Sequence, residues 1–171
     1  MKKLIITEKA NAARRISTIL SDGTSKSSSS GGVTVISFET GGDEYNVVSL
    51  RGHIIELDYP EEYNDWSATD PAELVHAPQV KTVKVKSILN RIKELATESD
   101  EIIIATDYDR EGELIGMETV KAIGADMGTV RRAKFSALTK GEVENAFDNL
   151  ADPDEKLADA AEARQIIDLS W

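Results

Sequence analysis

"IIIATDYDREGELIG" spans residues 102–116, and the fold turns on how it is read. The β-branched run Ile102, Ile103, Ile104 opens onto Asp107, Asp109, Glu111 and Glu113, with only Arg110 among them. Such a run predicts a strand buried on both faces, and "ELIGMETVKAIG" after it predicts a helix. Four carboxylates within seven residues repel one another, so something must offset them.

The start of the chain repeats the form. "KLIIT" reads as a short buried strand ending at Glu8, followed by the helix "EKANAARRISTIL" with Ala12, Ile16, Ile19 and Leu20 on its inner side. "VTVISF" and "EYNVVSL" read as strands joined across "ETGGD", a hairpin by its Gly-Gly pair. "SDGTSKSSSSGG", residues 21–32, reads as a flexible surface loop with nothing to pack. Residues 58–79 hold three of the four prolines and read as a long ordered excursion. Then come a short strand "KTVKVK", a helix "SILNRIKELATES", the strand "EIIIAT" and the acidic turn. "VRRAKF" is a further strand candidate, and "TKGEVENAFDNL" a helix with Thr139 and Glu142 as a capping box. "PDEKLADAAEARQIIDLSW" reads as a helix that stops without a softening tail, as if cut from a longer chain. Strands alternating with helices predict an α/β fold with a mostly parallel, Rossmann-like central sheet, and ligands beyond the carboxyl ends of its strands.

The 171 residues suffice for about one domain with a real core, and 40% hydrophobic content with 30% charge is ordinary for a globular chain. No apolar run is long enough to span a membrane, and the patch in "MKKLIITEKA" is too short for a signal-peptide core. The absence of cysteine excludes disulfides and thiolate metal sites and suits a cytoplasmic protein. A net charge of −11 argues against a general nucleic-acid coat. Its distribution is uneven: residues 1–20 carry five basic side chains against Glu8 alone, whereas residues 139–171 carry three against nine acids. One face could therefore meet a polyanion.

Three readings of the acidic turn compete. Acids at a helix N-terminus complement its dipole, but four exceed that need. From Asp107, "DYDREGELIGME" nearly satisfies an EF-hand calcium loop, yet "IIIAT" is not the helix such a loop requires. A magnesium site at a strand end fits better, with Asp107, Asp109 and Glu111 turning oxygens toward one point. Arg110 would then face a phosphate oxygen or simply pair with its acidic neighbours.

A strand ending in Glu, followed later by a strand ending in D-x-D-R-E-G-E, resembles the Toprim domain. "ITEKANAARRISTIL", "SLRGHIIEL" with "YPEEYNDW" after it, "RAKFSALTKGEVENAF" and "DAAEARQIIDLSW" together resemble the N-terminal part of type IA DNA topoisomerases, closest to the archaeal topoisomerase I or topoisomerase III-like branch. The resemblance implies a Toprim domain over residues 1–150 and the start of the next domain over 151–171. It implies relaxation of negatively supercoiled DNA through single-strand cleavage by a downstream tyrosine, without ATP, and resealing with Mg²⁺. Tyr45, Tyr59, Tyr63 and Tyr108 all lie inside the Toprim pattern and read as structural, so this piece alone is expected not to cleave DNA. By the same resemblance Glu8 is the general acid and base, Lys9 offsets charge on the phosphate, and His53, Arg110 and Arg132 contact phosphate or DNA. Glu8, Asp107, Asp109 and Glu111 hold the metal. The implied partners are single-stranded DNA and the remaining domains of the parent, in a monomer near the nucleoid. The alternatives are a Toprim nuclease, a primase-like phosphotransfer domain, or a non-catalytic divalent-metal module.

Overall fold

The computed structural model describes residues 1–30, 32–50, 55–58, 80–83 and 86–170. The expected excursion, with Tyr59 and Tyr63, and the Gly52–His53 segment lie outside the described residues. A six-stranded sheet is built from β1 (Lys2–Thr7), β2 (Lys26–Ser30), β3 (Val33–Thr40), β4 (Asp43–Ser49), β7 (Glu101–Ala105) and β8 (Val130–Arg132), in the order β2-β3-β4-β1-β7-β8. β1 runs parallel to both β4 and β7, and β7 runs parallel to β8. β2, β3 and β4 add an antiparallel extension. A separate pair joins β5 (Ile55–Asp58) to β6 (Val80–Val83) antiparallel.

The apolar runs work because the sheet is covered on both faces. Leu4, Ile6, Ile102 and Ile104 point to one side, where α2 (Lys86–Thr97), α3 (Arg110–Ala122) and the first half of α5 (Glu155–Ser170) close a core. Ile5 and Ile103 point to the other, against α1 (Ala10–Ser21) and α4 (Lys140–Asp148). Continuous Ile and Val, rather than alternation with polar residues, is what a doubly covered sheet demands.

Gly41 and Gly42, both at positive φ, close the β3–β4 hairpin between the paired Thr40 and Asp43, as a two-residue turn requires. The expected loop at 21–32 is corrected. α1 ends in left-handed Asp22 and Gly23, and Lys26–Ser30 then forms the sheet's edge strand, every residue exposed. An edge strand needs backbone pairing on one side only, so serines suffice and leave no apolar signal. The predicted boundary at residue 150 is not a break in packing either. Ala151 exchanges two backbone hydrogen bonds with Arg132, and Ala158 and Ala161 of α5 are buried.

α3 approaches β7 closely at Gly116, where a Cβ would stand 2.4 Å from Ile104 Cγ2. That methyl sits on a branched carbon next to the backbone and cannot swing away. Gly116→Ala is expected to lower stability in urea denaturation by about 1–3 kcal/mol, although alanine is ordinarily the better helix former.

Candidate functional site

Because β1 and β7 are parallel neighbours with Thr7 in register with Ala105, the residues just past them leave the sheet side by side. Glu8 follows Thr7 directly, and Asp107 follows Ala105 after Thr106. α1 begins after Lys9 and α3 after Asp109, so both helix N-termini open on the same end of the sheet.

The four acids of the turn have four different settings. Asp109 caps α3, its Oδ1 accepting from Gly112 N at 2.7 Å. Glu111 lies exposed on the first turn of α3. Glu113 is fully buried and pairs with Arg132. Asp107, exposed, stands beside Glu8. The turn is closed tightly over the helix: a Cβ on Gly112 would lie 1.8 Å from the Asp107 carbonyl oxygen, and Thr106 Oγ1 donates to Gly112 O at 2.7 Å. Only glycine permits that approach.

Arg132 holds the turn from below. Its Nε donates to Glu113, its Nη1 reaches the carbonyls of Ile104 (3.2 Å), Thr106 (2.7 Å) and Ala133 (2.8 Å), and its Nη2 donates to the Asp107 carbonyl at 2.7 Å. The side chain is 0% exposed. The expectation that Arg132 meets DNA is therefore corrected: every guanidinium nitrogen is engaged inside the protein. Its function is to fix the carbonyls from which Asp107 projects. The second oxygen of Glu113 accepts from Asp154 N at 3.1 Å, tying the segment before α5 to the same pair.

Glu8 is 8% exposed, and its pKa is pushed up from 4.5 to about 7, first by burial, then by the charge of Asp107, a hydrogen bond shared with it, and the charge of Asp109, against a lowering by Lys9. Lys9 is exposed, and its carbonyl accepts from Ala13 N in the first turn of α1. The sequence grouped four metal ligands; the structure brings Glu8, Asp107 and Asp109 into mutual influence, and Glu111 does not figure among the groups acting on Glu8. Among the described residues no three acidic or histidine side chains form a ready-made metal cage. The donor set still suits a hard divalent ion that keeps most of its waters and takes one or two carboxylates. The mutual repulsion that raises the Glu8 pKa is the strain such an ion would relieve. Arg110 is exposed at the start of α3 and forms no ion pair among the described residues.

Tyr45 is structural as expected, stacked on Phe38 at 4.9 Å, and Tyr108, between Asp107 and Asp109, is 46% exposed. Thr139 caps α4, yet Glu142 reaches past it to the N–H groups of Ser136 and Ala137 (3.0 and 2.9 Å), which hold its carboxyl below the usual range.

A mixed sheet flanked by helices, with two acid-tipped parallel strands at its centre, is the arrangement of a recognised class. The Toprim domain family matches residues 3–138, and the chain belongs to it. It is 45% identical to DNA topoisomerase 1 of Thermoplasma acidophilum over 99% of this chain and 22% of that protein. It is 44% identical to DNA topoisomerase 1 of Archaeoglobus fulgidus over 100% of this chain and 26% of the other. With DNA topoisomerase 3-alpha of Arabidopsis thaliana the identity is 35% over 97% and 19%. The chain thus spans about a quarter or less of these relatives' length. The structure of full-length topoisomerase I from Thermotoga maritima superposes with a TM-score of 0.63 over 97% of this chain and 24% of that one, at 24% identity, which supports the fold.

Arg132→Met leaves Glu113 buried without its counter-charge and is expected to cost about 3–5 kcal/mol in chemical denaturation. Combining it with Glu113→Leu should recover much of that loss, a non-additivity a double-mutant cycle would read. For Glu8 the sign is set by a raised pKa. The folded chain keeps a proton that the unfolded chain releases above pH 4.5, so stability falls as pH rises from 4.5 to about 7 and then levels off. Glu8→Gln should abolish that decline, and a carboxyl NMR titration of the metal-free protein should place the Glu8 midpoint near 7.

Proposed function

We propose that this chain is the proton- and metal-handling part of a type IA DNA topoisomerase, the part that supports opening and resealing of one strand while a tyrosine outside these residues makes the covalent link. The observation carrying the reading is Glu8: a carboxyl at a strand end whose pKa of about 7 lets it both give and take a proton in neutral solution. When the tyrosine, attacking as phenolate and leaving as phenolate on resealing, bonds to phosphorus and the bond from phosphorus to the 3′ oxygen breaks, protonated Glu8 gives its proton to that leaving oxygen. On resealing the 3′ hydroxyl attacks, Glu8 takes the proton back, and the tyrosine leaves. Atoms and charge balance without ATP.

Asp107 and Asp109, with Glu8 beside them, would hold Mg²⁺, and Glu111 on the first turn of α3 is the remaining proposed ligand. Bound there, the ion supplies charge neutralisation and alignment of the phosphate for resealing. Lys9, next to Glu8 and exposed, offsets charge on the reacting phosphate. Arg110, exposed at the start of α3, would contact a phosphate oxygen. His53 keeps its proposed phosphate contact from the family resemblance. The substrate is the single-stranded part of negatively supercoiled DNA, the partners are the remaining domains of a monomeric parent, and the setting is the cytoplasmic nucleoid. Among the described residues no helix is long and apolar enough to cross a membrane.

The test is a magnesium titration followed at the Glu8 carboxyl. Mg²⁺ is expected to move its midpoint downward, and Asp107→Asn to weaken the ion by at least the roughly 10–100-fold typical of losing even an outer partner. The 171-residue chain with Mg²⁺ should leave supercoiled plasmid uncut, whereas the full-length parent should relax it without ATP. Metal-dependent nicking by the chain alone would instead assign it to the nucleases.

A further inference from the structure

Beside the acidic turn runs an open groove made of two adjoining hollows, about 380 and 320 Å³, which share Tyr108, Phe135 and Ser136. Asp107 and Asp109 line one hollow, and Lys134 and Asn145 the other. Among the described residues only Met1, Tyr108, Ile166 and Ile167 are large apolar or aromatic side chains left exposed. Met1 begins the chain and the two isoleucines lie in the second half of α5; Tyr108 alone stands at the site.

Exposing an aromatic ring forgoes the burial that would stabilise the fold, and the chain does so one residue from Asp107. Two cations lie over the ring. Lys134 Nζ lies 5.3 Å and Arg132 Cζ 5.8 Å from its centroid. Arg132 is consumed by internal hydrogen bonds, whereas Lys134 is exposed and forms no ion pair among the described residues. The carboxylate of Glu142 also lines the groove but is occupied by three donors from Ser136 and Ala137, which temper its repulsion of an anion. A half-exposed ring with the Lys134 ammonium over it and an open groove leading to the acidic turn are the parts of a single-strand platform. A duplex would not offer the ring an unstacked base.

We infer that Tyr108 stacks a nucleobase of single-stranded DNA while Lys134 holds the adjoining phosphate, so that the groove guides the strand toward Glu8 and Asp107. The inference rests on the DNA-handling reading above and adds the subsite that positions the strand.

The experiment is fluorescence anisotropy of the 171-residue chain with a short labelled oligothymidylate, and with an abasic oligomer of equal length, at low salt with Mg²⁺. Tyr108→Ala should weaken the oligothymidylate roughly tenfold or more and leave the abasic oligomer unchanged, while Tyr108→Trp keeps the affinity. Lys134→Ala should weaken both and flatten the salt dependence by about 0.7 in log–log slope. Undiminished binding by Tyr108→Ala, equal loss on both oligomers with a lowered Tm, or no binding by the unaltered chain would each overturn the inference. Its failure is separable from that of the magnesium reading, because Tyr108→Ala should leave the Mg²⁺ titration at Glu8 unmoved.

Discussion

The buried pair of Arg132 and Glu113 is the constraint on which the site depends. A guanidinium in the interior is tolerable only when its hydrogens are spoken for, and here four main-chain carbonyls and one carboxylate do so. Three of those carbonyls belong to Ile104, Thr106 and Asp107, the residues where β7 ends and the acidic turn begins. Carbonyls that converge on one cation cannot diverge, so the direction in which Asp107 leaves the sheet is set by a group one strand away. With Gly112 admitting the turn against the helix, the backbone there has one arrangement available.

This explains how a chain can gather so many like charges. Glu113 is neutralised internally, Asp109 is drawn into capping, and Glu111 faces solvent beside a helix N-terminus. What remains is Glu8 beside Asp107 and Asp109: its burial first, and then the charge of those two carboxylates, surface as the raised pKa of Glu8.

Much of this was legible in the residues. "IIIAT" and "KLIIT" announced doubly buried strands because only two covered faces accept such runs, and two strands each tipped with an acid announced a shared end. The edge strand at Lys26–Ser30 was not legible by hydrophobicity, although its sequence ends in the same Gly-Gly signal read correctly at Gly41–Gly42. Arg132 was misjudged for a reason that also hid its pairing with Glu113. Charged residues are presumed to face water, and a long-range pair that buries both leaves no periodic trace in either segment. The exposure of Tyr108 leaves no such trace either, since it follows from how the acidic turn is folded over α3.

The bond from Asp154 to the second oxygen of Glu113 has its own consequence. One oxygen of that carboxylate steadies the arginine beneath the acidic turn, and the other receives the backbone from which α5 departs. The outgoing helix and the acidic end of the sheet thus share one carboxylate as an anchor, beside the burial of Ala158 and Ala161. A tug on the segment before the helix would reach the Asp107 carbonyl through Glu113 and Arg132.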